Sequence, residues 1–251
     1  MANVLPPNTS TMEEKPLYLE RTRLKLQLAK DVHEKFEVNI CNENFMIYPN
    51  VFNPNIFFGT EFLAKELIGI VSEFHKKPLN VLEIGTGAGY ISILAILNGA
   101  SHVTCTDINK DALENAKENA RKHNITDRIT IKYSDVFSTL NSEDKFELIF
   151  WNYPFGHINK PINELELLER ALVDPFYQSL DTYLKYAHEY LNPNVGRLFI
   201  GFSITAGYQQ SFEYIAKKYG WDISLRNEIK SDTHPVMQIG TYELTKRFNR
   251  D

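Results

Sequence analysis

Apolar and polar positions along this chain fall into blocks, and from Leu79 onward the blocks switch between two periods. Short apolar runs predict strands near 79–84, 102–107, 128–133, 146–151, 196–202, 221–229 and 236–245. Between them, apolar residues spaced three and four apart predict helices near 89–98, 110–123, 163–190 (interrupted near Asp174-Pro175) and 207–219. Such alternation implies a mostly parallel α/β sheet with right-handed crossovers and helices on both faces. Only a turn near Ser231-Asp232 separates the last two strands, so they are expected to pair as an antiparallel hairpin.

The N-terminal part is less regular. Residues 1–15 are rich in Asn, Pro, Ser, Thr and Glu and read as disordered or as a flexible arm. Residues 17–40 carry Leu17, Leu24, Leu28, Val32 and Phe36 at partial helical spacing, which suits a helix or a lid-like segment. The expected division is an arm or lid over 1–40, partly disordered, and one domain over 41–251. That domain begins with a short strand at Phe45-Met46-Ile47-Tyr48 and a helix after Gly59-Thr60. Thr60 is expected as the helix N-cap, with Glu61 near the positive helix end.

The most specific pattern is Val81-Leu82-Glu83-Ile84-Gly85-Thr86-Gly87-Ala88-Gly89, an apolar strand running into three alternate glycines and then an apolar helix. Glycines there permit positive φ and let a ligand approach the main chain. The turn lies at the carboxyl end of a strand, the usual crevice of an open α/β sheet. A dinucleotide turn reads G-x-G-x-x-G; this one reads G-x-G-x-G, with Tyr90 where the third dinucleotide glycine would stand. Asp107 ends the next strand, about 20 residues on, where a ribose-binding carboxylate belongs. Together these residues resemble the S-adenosylmethionine (SAM) site of class I methyltransferases, which have a Rossmann-like seven-stranded sheet ending in a hairpin. A nicotinamide enzyme is the competing reading.

The resemblance implies a role for each residue. SAM would sit on Gly85, Thr86, Gly87 and Gly89, with its carboxylate at the start of the following helix. Glu83 would balance its positive charge or hydrogen-bond the turn. Asp107 would accept from the ribose hydroxyls or cap the helix beginning near Asn109, and Ile108 would pack on adenine. Asp135 would accept from the adenine amino group, with Val136 beside it, unless it is simply an exposed turn residue. The product would be S-adenosylhomocysteine (SAH).

A second motif, Asn152-Tyr153-Pro154-Phe155, ends the fourth predicted strand. It resembles the N-P-P-Y/F turn of methyltransferases that act on planar nitrogens. The Asn152 amide oxygen and a backbone carbonyl would hold an –NH2 group, Pro154 would stiffen the loop, and Phe155 would stack on the acceptor. His157, two residues on, is a candidate proton acceptor. Tyr153 stands where the motif has its first proline and would alter what the pocket admits.

Residues 44–155 as a whole resemble the HemK/PrmC group, which methylates the glutamine amide of translation release factors. The matching pieces are Phe45–Tyr48, Val51-Phe52-Asn53-Pro54, Thr60-Glu61, the glycine turn, Asp107, Asp135 and Asn152–Phe155. The segment before residue 44 is shorter than the helical substrate domain of the release-factor enzymes. That points to a relative with another acceptor, with residues 161–190 as a source of contacts to it.

Charge and composition narrow the partners. A net charge of −5 argues against a chain that clamps nucleic acid by charge. The acceptors weighed are therefore a protein side-chain amide or a small metabolite, with an RNA or DNA adenine-type amino group less favoured. A SAM-binding interaction protein without catalysis is a further alternative, opposed by Asn152. Two cysteines form no disulfide framework or zinc site, and the chemistry calls for no metal. No apolar run reaches the ~18 residues of a membrane span and no signal peptide is evident, so a cytoplasmic setting is expected. Oligomeric state has no signature in the sequence.

Overall fold

A computed structural model describes residues 14–75 and 78–247. Helix α1 (Pro16–Lys30) is followed by a hairpin of β1 (Phe36–Ile40) and β2 (Glu43–Ile47). Then come α2 (Thr60–Ser72), β3 (Asn80–Ile84), α3 (Tyr90–Leu97), β4 (His102–Asp107), α4 (Lys110–Lys122), β5 (Ile129–Tyr133) and β6 (Leu148–Asn152). After β6 lie α5 (Leu167–Arg170), α6 (Gln178–Tyr190), β7 (Arg197–Ser203), α7 (Gln209–Lys218), β8 (Trp221–Lys230) and β9 (Gln238–Lys246).

The main sheet has the order β5-β4-β3-β6-β7-β9-β8. The first five strands of that order are parallel, and β9 enters antiparallel between β7 and β8. β3 pairs with β4 on one side and β6 on the other, so the strand order reverses beside it. A crevice opens at the carboxyl ends of strands around such a reversal. Helices cover both faces, which is why β3 and β6 are buried runs rather than alternating ones. One face carries Val81, Leu148, Phe150 and Phe199 with α2 and α3. The other carries Leu82, Ile84, Ile149 and Trp151 with Leu180, Tyr183 and Leu184 of α6 and Phe212 of α7.

The β1–β2 hairpin does not join this sheet. Two buried asparagines of α4 receive the edge of β2 instead. Asn119 accepts from the Met46 N–H at 2.8 Å and donates to the carbonyls of Met46 and Ala88, each at 2.8 Å. Asn115 accepts from the Tyr48 N–H and donates to the Met46 carbonyl. A side-chain amide carries both a donor and an acceptor, so it can stand in for a neighbouring strand. Because Ala88 lies in the glycine turn, Asn119 ties hairpin, helix and turn together.

Several expectations need correction. The helix expected within 17–40 ends at Lys30, and 36–40 is a strand whose partner is 43–47, so the boundary at residue 40 falls inside a hairpin. Within 163–190 only 167–170 and 178–190 are α-helical. Pro175 turns Asp174 out of the helical region, and Phe176 and Tyr177 both take positive φ. The α2 N-cap is Gly59, not Thr60. Gly59 has φ +96°, and a Cβ on it would lie 2.6 Å from Ile239 Cδ1, so only glycine fits that junction. The expectation of disorder over 1–15 falls almost wholly outside the described residues. Among the described residues no helix is long and apolar enough to cross a membrane.

Replacing Asn119 by Ala strands two buried backbone groups and is expected to cost roughly 2–3 kcal/mol. Urea unfolding checks this; an unchanged midpoint would mean that the hairpin is not held through Asn119.

Candidate active site

The glycine turn is fixed by carboxylates from two strands. Glu83, 2% exposed, accepts from the Thr86 hydroxyl at 2.9 Å and from the Ser92 hydroxyl on α3. Asp107, at the end of β4, accepts from the Gly87 N–H at 2.9 Å and the Asn109 N–H at 2.8 Å. Asn109 itself caps α4, accepting from the Asp111 N–H, so the capping role considered for Asp107 belongs to its neighbour. Gly89 begins α3 at φ +82°, where a Cβ would lie 2.9 Å from Ala116 Cβ on α4. That glycine serves backbone conformation and helix packing.

Around this turn is a cleft with about 1510 Å³ of empty space, part of it open to solvent. Glu83, Gly85, Thr86, Gly87, Asp107, Ile108, Asp135, Val136, Asn152, Tyr153, Pro154 and Phe155 all line it. Gly89 and His157 do not. His157 is 2% exposed, with Nδ1 accepting from the Phe176 N–H at 3.0 Å and Nε2 on Asn159 Oδ1 at 3.1 Å. Its ring braces the loop before α6, and the proton-acceptor role expected of it is withdrawn.

Asn152 ends β6 opposite Gly201 of β7, where an added Cβ would lie 3.4 Å from its Oδ1. Among the described residues, that amide has no hydrogen-bond partner within the chain. Tyr153 is 1% exposed, stacked on Phe202, and its hydroxyl donates to Asp174 Oδ2 at 2.7 Å. Asp174 also accepts from the N–H groups of Ser179 and Leu180 at the start of α6. The tyrosine therefore anchors the turn from behind, doing by hydrogen bond what a proline ring does by covalent restraint. Asp135 is exposed and ion-paired to Arg170 Nη2 at 3.3 Å.

Burial dominates the electrostatics. It pushes the Glu83 carboxyl up to about 8 and Asp174 to about 6, and it raises Asp107 as well. The hydrogen bonds from Ser92 and Thr86 offset only part of the effect at Glu83.

The periodicity did not reveal the rest of the cleft. α1 forms part of its wall and contributes Arg21, Thr22 and Lys25. Lys15 bonds the carbonyl of Thr205, Tyr18 that of Val236, Arg21 that of Pro235 and Lys25 that of Ile56. Leu26 and Ala29 pack with Leu168. Phe52, Phe57, Phe58 and Trp151 supply apolar walls. Phe52 stood in the Val51–Pro54 match, and the leucine spacing of 17–28 marked α1 as a helix; neither placed its residue in the cleft.

A methyltransferase-domain family model matches residues 75–217, more than half of the chain. The chain belongs to this methyltransferase family. A bifunctional methyltransferase of Rickettsia typhi is 35% identical over 242 residues, covering 83% of this chain and 44% of its own length. A candidate protein N5-glutamine methyltransferase of Methanocaldococcus jannaschii is 32% identical over 152 residues, 55% of this chain and 69% of its own. Among solved structures, the Thermus thermophilus 16S rRNA N2 G1207 methyltransferase in complex with AdoMet and guanosine aligns with TM-score 0.56. It is 16% identical, over 85% of this chain and 50% of that one, a likeness of fold. The chain spans less than half the length of the Rickettsia relatives it matches.

Two outcomes are expected. Tyr153→Phe removes a donor to buried Asp174 and should lower stability by roughly 1–3 kcal/mol, read by urea unfolding. Both Glu83 and Asp174 hold protons more tightly folded than unfolded. Their contribution to ligand-free stability is therefore full below their ordinary pKa values and declines as pH rises through about 6 and then about 8. Glu83→Gln should flatten the upper part of a Tm-against-pH curve, and a curve identical to the wild type's would contradict the assignment.

Proposed function

We propose that this chain is a SAM-dependent methyltransferase that acts on a planar or amino nitrogen, with a small molecule as the acceptor. The observation that carries the reading is the Asn152 amide, without a hydrogen-bond partner among the described residues, lining one cleft with Glu83 and Asp107. The residues fit the cofactor. Both Asp107 oxygens accept from backbone N–H groups within the chain, and a carboxylate has further acceptor sites for a ribose hydroxyl. Ile108 and Val136 offer apolar surface to a base, and among the described residues no cation favours the ionised form of buried Glu83.

When bound, SAM supplies an electrophilic methyl group on a sulfonium that leaves as a neutral thioether. The chain's part is alignment. Asn152 Oδ1, with a carbonyl of the following turn, accepts the N–H groups of the acceptor and directs the nitrogen lone pair toward the methyl carbon. Phe155 packs on the plane of the acceptor, and Pro154 with the Tyr153–Asp174 bond keeps the turn rigid. Holding reactants at near-attack distance is worth up to about 7–11 kcal/mol. After transfer the acceptor proton passes to water, because His157 is engaged elsewhere.

The presence of α1 in the cleft wall, through Arg21, Thr22 and Lys25, favours a small acceptor, since the helix takes up room that a folded protein loop would need. A protein amide is the second reading, favoured by the M. jannaschii relative. The acidic balance keeps nucleic acid third.

The test is methyl-labelled SAM in a cell extract with purified protein, followed by separation of small molecules from protein and nucleic acid. Label should enter the small-molecule fraction. Asn152→Ala should leave SAH affinity within about threefold and cut transfer by about 100-fold or more, the scale of one lost positioning contact. Label confined to protein would instead establish the amide reading, and a fully active Asn152→Ala would remove the role of Asn152.

A further inference from the structure

Arg21 and Lys25 stand one turn apart on α1, and both line the cleft. Like charges at this spacing repel, so the pair costs stability unless something answers it. Among the described residues no anionic group does, although Lys25 Nζ lies 5.8 Å from the Phe57 ring centre. Arg21 Nη1 donates to the Pro235 carbonyl at 2.6 Å and Lys25 Nζ to the Ile56 carbonyl at 2.6 Å. Among the described residues neither has a carboxylate partner. The contrast on the same helix is Lys30, which pairs with Glu166 at 2.8 Å. This happens in a chain with 32 acidic residues against 27 Lys and Arg, where carboxylates are plentiful. Burial, and then the charge of Arg21, push the Lys25 ammonium down from its ordinary pKa, as expected of desolvated cations awaiting an anion.

We propose that Arg21 and Lys25 form an oxyanion subsite, so that the acceptor carries a carboxylate or phosphate as well as the nitrogen to be methylated. The inference rests on the methyltransferase reading above. On the methyltransferase reading the carboxylate of the cofactor would be met separately, at the glycine turn and the start of α3. The two α1 cations, tethered to the β8–β9 turn and to the 53–58 turn, are left for the acceptor. Arg21 has guanidinium donors to spare beyond the one spent on Pro235, and such a fork suits a planar carboxylate or a phosphate face. The subsite would also make α1 a specificity element, because anion binding would draw together the turns that the helix bridges.

The experiment is calorimetry on the full chain in two stages. SAH is titrated first; its failure to bind would defeat the cofactor reading and not this one. Inorganic phosphate is then titrated, at constant ionic strength, into free and SAH-loaded protein. Saturable binding to both forms is expected. Arg21→Gln and Lys25→Gln should each weaken it about tenfold or more, the effect of losing one charge-assisted hydrogen bond. Lys25→Arg should retain it, which separates charge from a merely structural role of the helix. Absent phosphate binding, binding unaffected by the Gln variants, or phosphate displaced competitively by SAH would each overturn the proposal. The last result would assign the cations to the carboxylate of the cofactor.

Discussion

The site depends on a glycine turn held from two sides. Asp107 takes the Gly87 N–H across the gap between β3 and β4, while Glu83 takes hydroxyls from Thr86 and from Ser92 on the next helix. Positive φ at Gly85, Gly87 and Gly89 gives the chain the freedom to turn there, and the two carboxylates take that freedom away again. Removing either would leave a flexible glycine loop rather than a shaped surface. The arrangement has a cost, since a carboxylate as buried as Glu83 is held against its preference for water. Such strain is common where a protein prepares a surface for a charged ligand.

Other parts of the molecule solve the same problem of rigidity with different chemistry. Asn115 and Asn119 satisfy the edge of β2 with side-chain amides, so a two-stranded hairpin with no further strand partner is docked firmly on α4. Asp174 gathers Tyr153, Ser179 and Leu180, fixing the turn after β6 to the start of α6. α1 and its N-cap Lys15 bridge turns that are far apart in sequence through side-chain bonds to backbone carbonyls. Backbone carbonyls in loops are available wherever the chain does not pair, so a helix can strap loops together without matched side chains.

Much of the sheet was legible from hydrophobic periodicity, because both faces are covered and the strands are nearly continuous apolar runs. The segments 36–40 and 163–177 were not. β1 alternates, but at five residues it is too short to stand out against the leucine spacing before it. The run after Pro161 has helical composition, yet Pro175 and the left-handed Phe176 and Tyr177 break it. Of the candidate site residues, Gly85, Thr86, Gly87, Asp107 and Asn152 line the cleft, and they stood out in the sequence because the resemblance asks for those types at those spacings. His157 was misread because a histidine near a motif looks the same whether it faces the cleft or the core.

From the sequence alone came the parallel α/β architecture, the glycine turn, the acidic residues near the ends of β3 and β4, and the asparagine that ends β6. These are local patterns, set by strand period, turn geometry and residue type. Tertiary structure alone decided which way side chains point and what lies opposite. It turned Tyr153 inward to Asp174, took His157 out of the cleft, and brought Arg21 and Lys25 of α1 into the cleft wall. Those outcomes depend on contacts between residues as far as about 220 positions apart, such as Tyr18 with Val236. Periodicity carries no information about such pairs, because it reports only which face of an element is buried and not what buries it.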